Sequence, residues 1–476
     1  MRVVFATAPD PSGAMDPAGR WVPLALVHLA GAARAAGHGC TILDAVSLGL
    51  SQTDAVRHLA DVRPNVLCVS AATAGFPSAQ AFCRAAQGLG VTTVVGGTHA
   101  SFMYPEFLPQ GGIDFAVVGE GEETLPELLH CLEAGEDPSR IAGIAFPLGG
   151  RIVRTARRPR LATLDPLPKA WDLLDWSTYT WGNRPGSRLA AIVTSRGCPR
   201  HCTYCSQATS GEGSWRPRSP DSVAYEMSTL RRDHGADVVA LFDEAPTVDA
   251  RRWNAILERV AELDLGVELL LWSRPEDVIR DERELPRWRA AGVAHVGLCR
   301  DVSEDRLAGR EAEVSLDMGR RAIGLLRDHG ISTEANFWLG FPDETPEQIA
   351  ALRRRAREWD PDMAHFLIVA PLPYTPAWRA LGPHVATRDY RRFDHRQVVL
   401  KTRAMTAEQV QAAAVACTRN FYVDKIRRTD AEPPAGRPGS AWRVYIAAPS
   451  FRDRLLEGAT EEERDALAPR PPPAKA

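Results

Sequence analysis

Three cysteines fall within eight residues, Cys198, Cys202 and Cys205, in the segment TSRGCPRHCTYCSQ. Thiolates at this C-x-x-x-C-x-x-C spacing are candidate metal ligands. The other six cysteines (Cys40, Cys68, Cys83, Cys131, Cys299 and Cys417) are isolated in sequence, as core-packing cysteines are. Nine in 476 residues are too sparse for a disulfide scaffold. A four-iron cluster has four corners, and four cysteines would close them all; three thiolates leave one iron open to a small molecule. Zinc competes, but structural zinc wants a fourth Cys or His at short spacing. His201 directly precedes Cys202 and would be strained as a second ligand to the same ion. A chance grouping is the third reading. The iron–sulfur cluster is the strongest of the three.

The elements that must hold this triplet follow from hydrophobic patterning. Apolar runs at 189–194, 238–242, 267–272, 294–299, 333–339 and 365–369 read as strands, and helical periods at 221–233, 250–264, 282–291, 316–329 and 346–359 lie between them. Six strands joined by crossovers make an incomplete parallel (β/α)6 barrel. The triplet then sits at the C-terminal end of the first strand, on the face where such barrels carry chemistry. Ahead of it, strands at 2–7, 40–43, 66–70, 91–95 and 115–118 alternate with helices at 24–36, 54–60, 78–87 and 123–134, the pattern of a doubly wound, Rossmann-like sheet. The chain thus divides into an α/β domain (1–140), a Pro-rich linker or wrapping segment (141–188), the partial barrel (189–385), a helical C-terminal region (386–455) and a charged, Pro-rich tail expected to be disordered (456–476).

Composition narrows the class. Hydrophobic residues are 45% and charged residues 25%, ordinary for a globular protein and wrong for a disordered chain, a collagen or a rod. The 57 basic and 60 acidic residues leave a net charge of −3, so no basic excess points to nucleic acid. Lys169, Lys401, Lys425 and Lys475 are the only lysines, a coding bias toward Arg. No signal peptide is evident, and no stretch approaches the ~18 apolar residues of a spanning helix. The expectation is a cytoplasmic protein with no membrane partner, where cysteines stay reduced.

With Tyr204 before the last cysteine, the triplet resembles the radical S-adenosylmethionine (SAM) superfamily over about 189–385. That resemblance implies a [4Fe-4S] cluster on Cys198, Cys202 and Cys205. Its open iron chelates SAM, and reduction yields a 5′-deoxyadenosyl radical that abstracts a hydrogen atom; the cofactors carry that chemistry and the protein orients them. It also implies an electron donor such as flavodoxin or ferredoxin, and a small-molecule substrate. SAM contacts are expected from Tyr204, from Asp243 and Glu244 after the second strand, from Ser273 and Arg274 after the third, and from Asn336 and Gly340 on the fifth. Where the family usually has an acid after the fourth strand, this sequence has Arg300, and Asp301 alternates to the other side.

The first domain lacks a G-x-G-x-x-G after its first strand, so it is no obvious dinucleotide site. Its strand-end loops contain Ser70, Ala71 and Thr73; Gly96, Gly97, Thr98 and His99; and Gly119, Glu120 and Glu122. These resemble the cobalamin-binding domain fused ahead of the radical domain in one subgroup. Small residues let the backbone approach a bulky corrinoid, and hydroxyls can bond its amides. No D-x-H-x-x-G is present, so no histidine from that motif would ligate cobalt, and His99 reads better as a loop residue than as a ligand. The segments GRWVPLALVHLAGAARAAGH, GGTHASFM, DEAPT, TEANFWLGFPDET, EWDPDMAHF and PLPYTPAW are similar to the anaerobic magnesium-protoporphyrin monomethyl ester cyclase branch.

Branch resemblance is not substrate identity. The first expectation is a cobalamin-dependent C-methyltransferase acting through the 5′-deoxyadenosyl radical and methylcobalamin. The alternative is oxidative cyclisation or another non-methylating reaction, and the third is a non-catalytic corrinoid-binding protein. Trp338, Phe341, Tyr374 and Trp378 are candidates to line a pocket for a flat ligand. No general acid or base can be assigned.

Overall fold

The computed structural model describes residues 1–9, 19–206, 213–299, 313–431, 449–456 and 458–467. Arg300 and Asp301 lie outside these residues. In the first domain, strands β1 (Arg2–Thr7), β3 (Gly39–Leu43), β4 (Val66–Ser70), β5 (Thr92–Gly96) and β6 (Phe115–Val117) form the parallel part of a sheet, in the order β3-β1-β4-β5-β6. Helices α1 (Leu24–Ala35) and α5 (Thr124–Ala134) bury Leu26, Ala30, Ala33, Leu125 and Leu128 on one face. Helices α2 (Gln52–Val62), α3 (Phe76–Gln87) and α4 (Thr98–Phe107) cover the other with Leu59, Phe76, Phe82 and Phe107. Two cores on one sheet are what a doubly wound sheet requires, and they explain strands such as β4 that are apolar on both faces.

The stretch expected to be a linker begins as part of this sheet. Strands β7 (Ile144–Leu148) and β8 (Arg151–Arg154) pair antiparallel with β6 and with each other. Gly149 and Gly150, at φ 57° and 76°, supply the two left-handed residues that a tight hairpin needs. A two-residue ladder, β2 (Gly19–Arg20) with β9 (Thr180–Trp181), ties the linker's end to the segment before α1.

The second sheet, β10 (Leu189–Ile192), β13 (Val238–Leu241), β14 (Glu268–Ser273), β15 (Val293–Leu298), β16 (Ser332–Leu339) and β17 (Met363–Ile368), is six-stranded, parallel and paired in chain order. Its crossovers are α6 (Pro220–His234), α7 (Ala250–Leu263), α8 (Pro275–Arg280) with α9 (Leu285–Ala290), α10 (Glu313–Asp328) and α11 (Pro346–Trp359). Local chemistry sets their ends. Ser219 caps α6 before Pro220 and left-handed Gly235 stops it; Thr345 and Gln348 form a capping box on α11. A short hairpin, β11 (Ser195–Gly197) with β12 (Trp215–Pro217), flanks the cysteine segment.

The C-terminal region differs from expectation. After α12 (Ala377–Leu381), residues 382–406 form a strap rather than a helix. Val385 and Leu400 are bridged, and Asp389 and Asp394 cap tight turns with their side chains, the local bonding that draws Asp out of helices. Helix α13 (Ala407–Ala431) follows. The segment expected to be a disordered tail contains α15 (Glu461–Ala466), preceded by α14 (Pro449–Leu456); a Thr460/Glu463 capping box starts α15 and Leu467 is buried. Among the described residues, no helix is long and apolar enough to cross a membrane.

Candidate functional site

The hairpin that leads into the cysteine segment is held by an acid from the next strand. Asp243 is buried and saturated: it accepts the Thr194 N–H at 2.8 Å and the hydroxyls of Thr194 and Ser195 at 2.8 and 2.5 Å. Burial pushes its pKa up against the pull of those bonds. Expected to meet SAM, Asp243 is instead spent on the chain that delivers the cysteines. Glu244, the next residue, is exposed and accepts the Gly197 N–H at 3.2 Å. Gly197 itself sits at φ 86°, and a Cβ there would lie 2.1 Å from the Ser214 carbonyl oxygen of the opposite strand. Only glycine fits.

Cys198, Cys202 and Cys205 are half-buried and form no disulfide. Among the described residues, no three His, Cys, Asp or Glu side chains converge on a point that would hold one metal ion. What the loop supplies is the donor set: three soft ligands on one short loop, suited to iron–sulfur rather than to hard cations. Arg274, expected at SAM, places Nη2 2.9 Å from the Cys202 sulfur. Arg200, inside the motif, pairs with buried Asp277 at 3.0 Å. Asp277 also accepts the Thr247 hydroxyl at 3.1 Å, and Thr247 meets the Ser273 hydroxyl at 2.7 Å. Ser273 therefore props the cysteine loop from beneath. The Tyr204 hydroxyl donates to the Cys299 carbonyl at 3.4 Å. Cys299, read from sequence as a packing residue, lies near enough to Cys198 and Cys205 to feel their charge; burial pushes its thiol up to about 12, so it stays protonated.

Strand β16 alternates. Thr333, Ala335, Phe337 and Leu339 pack outward, and Ser332, Glu334, Asn336 and Trp338 face the barrel interior. The Asn336 amide makes no hydrogen bond among the described residues. Glu334 is gripped by His295 and His365, each with Nε2 3.2 Å from a different carboxylate oxygen. Burial works against its ionisation, but the charge and hydrogen bonds of the two histidines hold its pKa well below the carboxylate range. Gly340, expected at SAM, gives its N–H to Glu344 at 2.5 Å and packs against Ile368 and Val410.

In the first domain, Ser70, Gly96, Gly97 and Gly119 line a cavity of about 50 Å³ with Leu29 and Leu125, at the C-terminal edge of the sheet where doubly wound folds bind ligands. Ala71 and Thr98 adjoin it in sequence. Glu120 and Glu122, expected to face a corrinoid, are engaged elsewhere. Glu120 takes Arg196 at 3.2 Å and Arg216 at 2.7 Å from the cysteine hairpin, and Glu122 pairs with Arg196. Burial opposes ionisation of Glu120, yet the Arg216 bond keeps its pKa below the usual range.

Thr73 and His99 also turn toward the second domain. The Thr73 and Tyr374 hydroxyls lie 2.9 Å apart, and His99 Nδ1 is 3.2 Å from Thr73. Phe76 and Tyr390 flank the His99 ring at 4.4 and 5.1 Å, and burial lowers its pKa to about 4. A His99→Gln variant should therefore bind corrinoid with unchanged axial ligation. Nitrogen splitting in the cobalt(II) spectrum of the wild type that vanishes in the variant would overturn this.

Three residues beyond Tyr374, the Ala377 N–H donates to the Thr203 carbonyl in the cysteine loop at 2.8 Å. One short turn thus spans from the first domain to the cysteines. The strap packs beside the same turn. It packs Tyr390, Phe393, Val399 and Leu400 against Phe341 and Leu381, with Trp338 and Trp378 alongside, and the Tyr390 hydroxyl donates to Glu106 at 3.2 Å. Sequence reasoning missed this interface, the Glu334 histidines and the strap; none has a local signal, because the partners come from distant strands.

Residues 14–129 match the B12 binding domain family and residues 192–356 the Radical SAM superfamily. The anaerobic magnesium-protoporphyrin IX monomethyl ester cyclase of Rubrivivax gelatinosus is 31% identical over 435 residues, 89% of this chain and 78% of the relative. The hopanoid C-3 methylase of Methylococcus capsulatus is 28% identical, over 84% of this chain and 76% of the relative. Among solved structures, the radical SAM methyltransferase TsrM from Kitasatospora setae, with cobalamin and a [4Fe-4S] cluster bound, superposes with a TM-score of 0.70 at 18% identity, covering 96% of this chain and 99% of that one. The chain therefore belongs to the cobalamin-binding radical SAM enzymes, on the branch similar to the anaerobic magnesium-protoporphyrin monomethyl ester cyclases, and its cofactors are a [4Fe-4S] cluster, SAM and cobalamin.

Proposed function

We propose that this enzyme methylates a carbon of a small molecule held between the two domains. The observation that carries the reading is the Tyr374–Ala377 turn, which bonds Thr73 at one end and Thr203 at the other. The two contacts lie three residues apart, so one short turn holds the loops assigned to corrinoid and to cluster at its two ends. When bound, the cluster and SAM supply the hydrogen-abstracting radical and cobalamin carries the methyl group.

The chain's own residues do the placing. Cys198, Cys202 and Cys205 hold the cluster, with Arg274 stabilising thiolate at Cys202. Glu244, Tyr204 and the open amide of Asn336 face the nucleoside, while Asp243, Ser273 and Asp277 fix the loop from behind. Ser70, Gly96, Gly97 and Gly119 accept a flat part of the corrinoid. Strap aromatics exclude water.

Oxidative cyclisation is the second reading, favoured by the 31% identity to the cyclase over 89% of this chain. Anaerobically reconstituted enzyme with SAM, reductant, cobalamin and candidate substrates separates the two. A product one methyl heavier supports methylation, and loss of hydrogen or gain of oxygen supports the second reading. No 5′-deoxyadenosine above a Cys202→Ala control would remove both. An electron donor of the flavodoxin or ferredoxin class belongs to the same proposal.

A further inference from the structure

His395 occupies an unusual position in the strap. Its φ is +60°, left-handed for a residue that is not glycine, and both its main chain and its ring are tied to the end of β17. The Ile368 N–H donates to the His395 carbonyl at 2.8 Å, and His395 Nδ1 lies 3.3 Å from the Ile368 carbonyl. A carbonyl only accepts, so Nδ1 must carry the proton and Nε2 is left as a bare acceptor. Burial lowers the ring's pKa and keeps it neutral. Nε2 has no hydrogen-bond partner among the described residues, and it is not among the fully enclosed, unpartnered atoms as both ring nitrogens of His28 are. The ring stands at 87° to the indole of Trp338, with centres 4.8 Å apart, and Trp338 is in turn 6.3 Å from Tyr204 of the cysteine loop. A strained backbone held from both sides, with one open ring nitrogen beside an interior-facing indole, is an arrangement that positions an acceptor rather than one that packs a core.

We propose that His395 is a substrate-binding residue, its Nε2 accepting a hydrogen bond from an N–H or O–H group on a planar, largely apolar substrate that lies against Trp338. This rests on the reading above that the substrate is held between the two domains. It names a requirement that neither cofactor imposes: a donor on the substrate's edge.

Carbethoxylation tests it, because diethyl pyrocarbonate attacks a neutral, accessible imidazole nitrogen. The full-length holoenzyme is labelled and mapped by mass spectrometry, with exposed His58 as positive control and enclosed His28 as negative control. The probes are indole, which has a ring N–H, and 1-methylindole, which has the same shape without it. His395 should label within about threefold of the His58 rate, and indole should protect it at a concentration at least fivefold below that needed with 1-methylindole. A His395 as inert as His28 would overturn the proposal, as would equal protection by the two probes or none by either. Failure of the underlying functional reading registers separately, as absence of 5′-deoxyadenosine or of bound corrinoid in the same preparation.

Discussion

The Gly197→Ala variant should carry almost no iron. Left-handed backbone alone costs a residue with a side chain about 1–3 kcal/mol, and here the new methyl group would also meet a main-chain oxygen at 2.1 Å. That oxygen belongs to Ser214, the residue just before β12 across the hairpin, and cannot rotate aside as a flexible side chain would. Either the β11–β12 pairing parts or the whole turn moves, and both displace Cys198, the next residue. The Glu244 bond to the Gly197 N–H would be lost with it. We expect a loss of about 3 kcal/mol or more and iron below a tenth of the wild-type content after anaerobic reconstitution. Gly186→Ala is the control: φ there is +79°, but a Cβ meets nothing within 4 Å, so it should cost about 1 kcal/mol and keep its iron. Wild-type iron and melting temperature in Gly197→Ala would refute the account.

Glu334→Gln should be nearly as damaging, and its cost should depend on pH. The carboxylate bridges two imidazoles inside the barrel, and removing one member of a buried charge cluster typically costs about 3–5 kcal/mol because the remaining groups are stranded. Glutamine can accept from one histidine but turns an NH2 toward the other. The direction of the pH effect follows from the depressed pKa. A carboxyl whose pKa is lower folded than unfolded stabilises the fold fully above its unfolded value, about 4.3, and loses that contribution as pH falls through the folded value. Urea unfolding should show a gap of about 3 kcal/mol between wild type and variant at neutral pH, shrinking as pH falls below about 4.3. A gap under about 1 kcal/mol at pH 7, or one that grows as pH falls below about 4.3, would sink this.

Much of this architecture was legible because the signals are local. Apolar runs on both faces, separated by Ser and Thr caps and by Gly stops, mark the strands and helices of both sheets, and three cysteines in one loop mark themselves. The Gly149–Gly150 hairpin is equally local, but its second strand, RIVR, is half charged and reads as linker. Other features had no local form. Asp243 was correctly placed at a strand end, but sequence does not say whether an acid there faces a cofactor or turns back to Thr194 and Ser195. Glu120 and Glu122 read as corrinoid contacts on a strand-end loop until Arg196 and Arg216 arrive from 74 to 96 residues away. The strap misled through its composition: Asp389 and Asp394 sit among arginines as in a solvated helix, yet each spends its carboxylate on backbone N–H groups two or three residues on.

The contacts from Tyr374 to Thr73 and from Tyr390 to Glu106 join residues 301 and 284 positions apart. On the ribosome, at about 5–20 residues per second, that interval lasts on the order of 15–60 s. During this time the first domain can fold but its ligand edge stays uncovered, since the strap that closes it has not been made. The bonds that Tyr374 and Tyr390 make to Thr73 and Glu106 are therefore the last to join this edge, after the first domain's own sheet is complete.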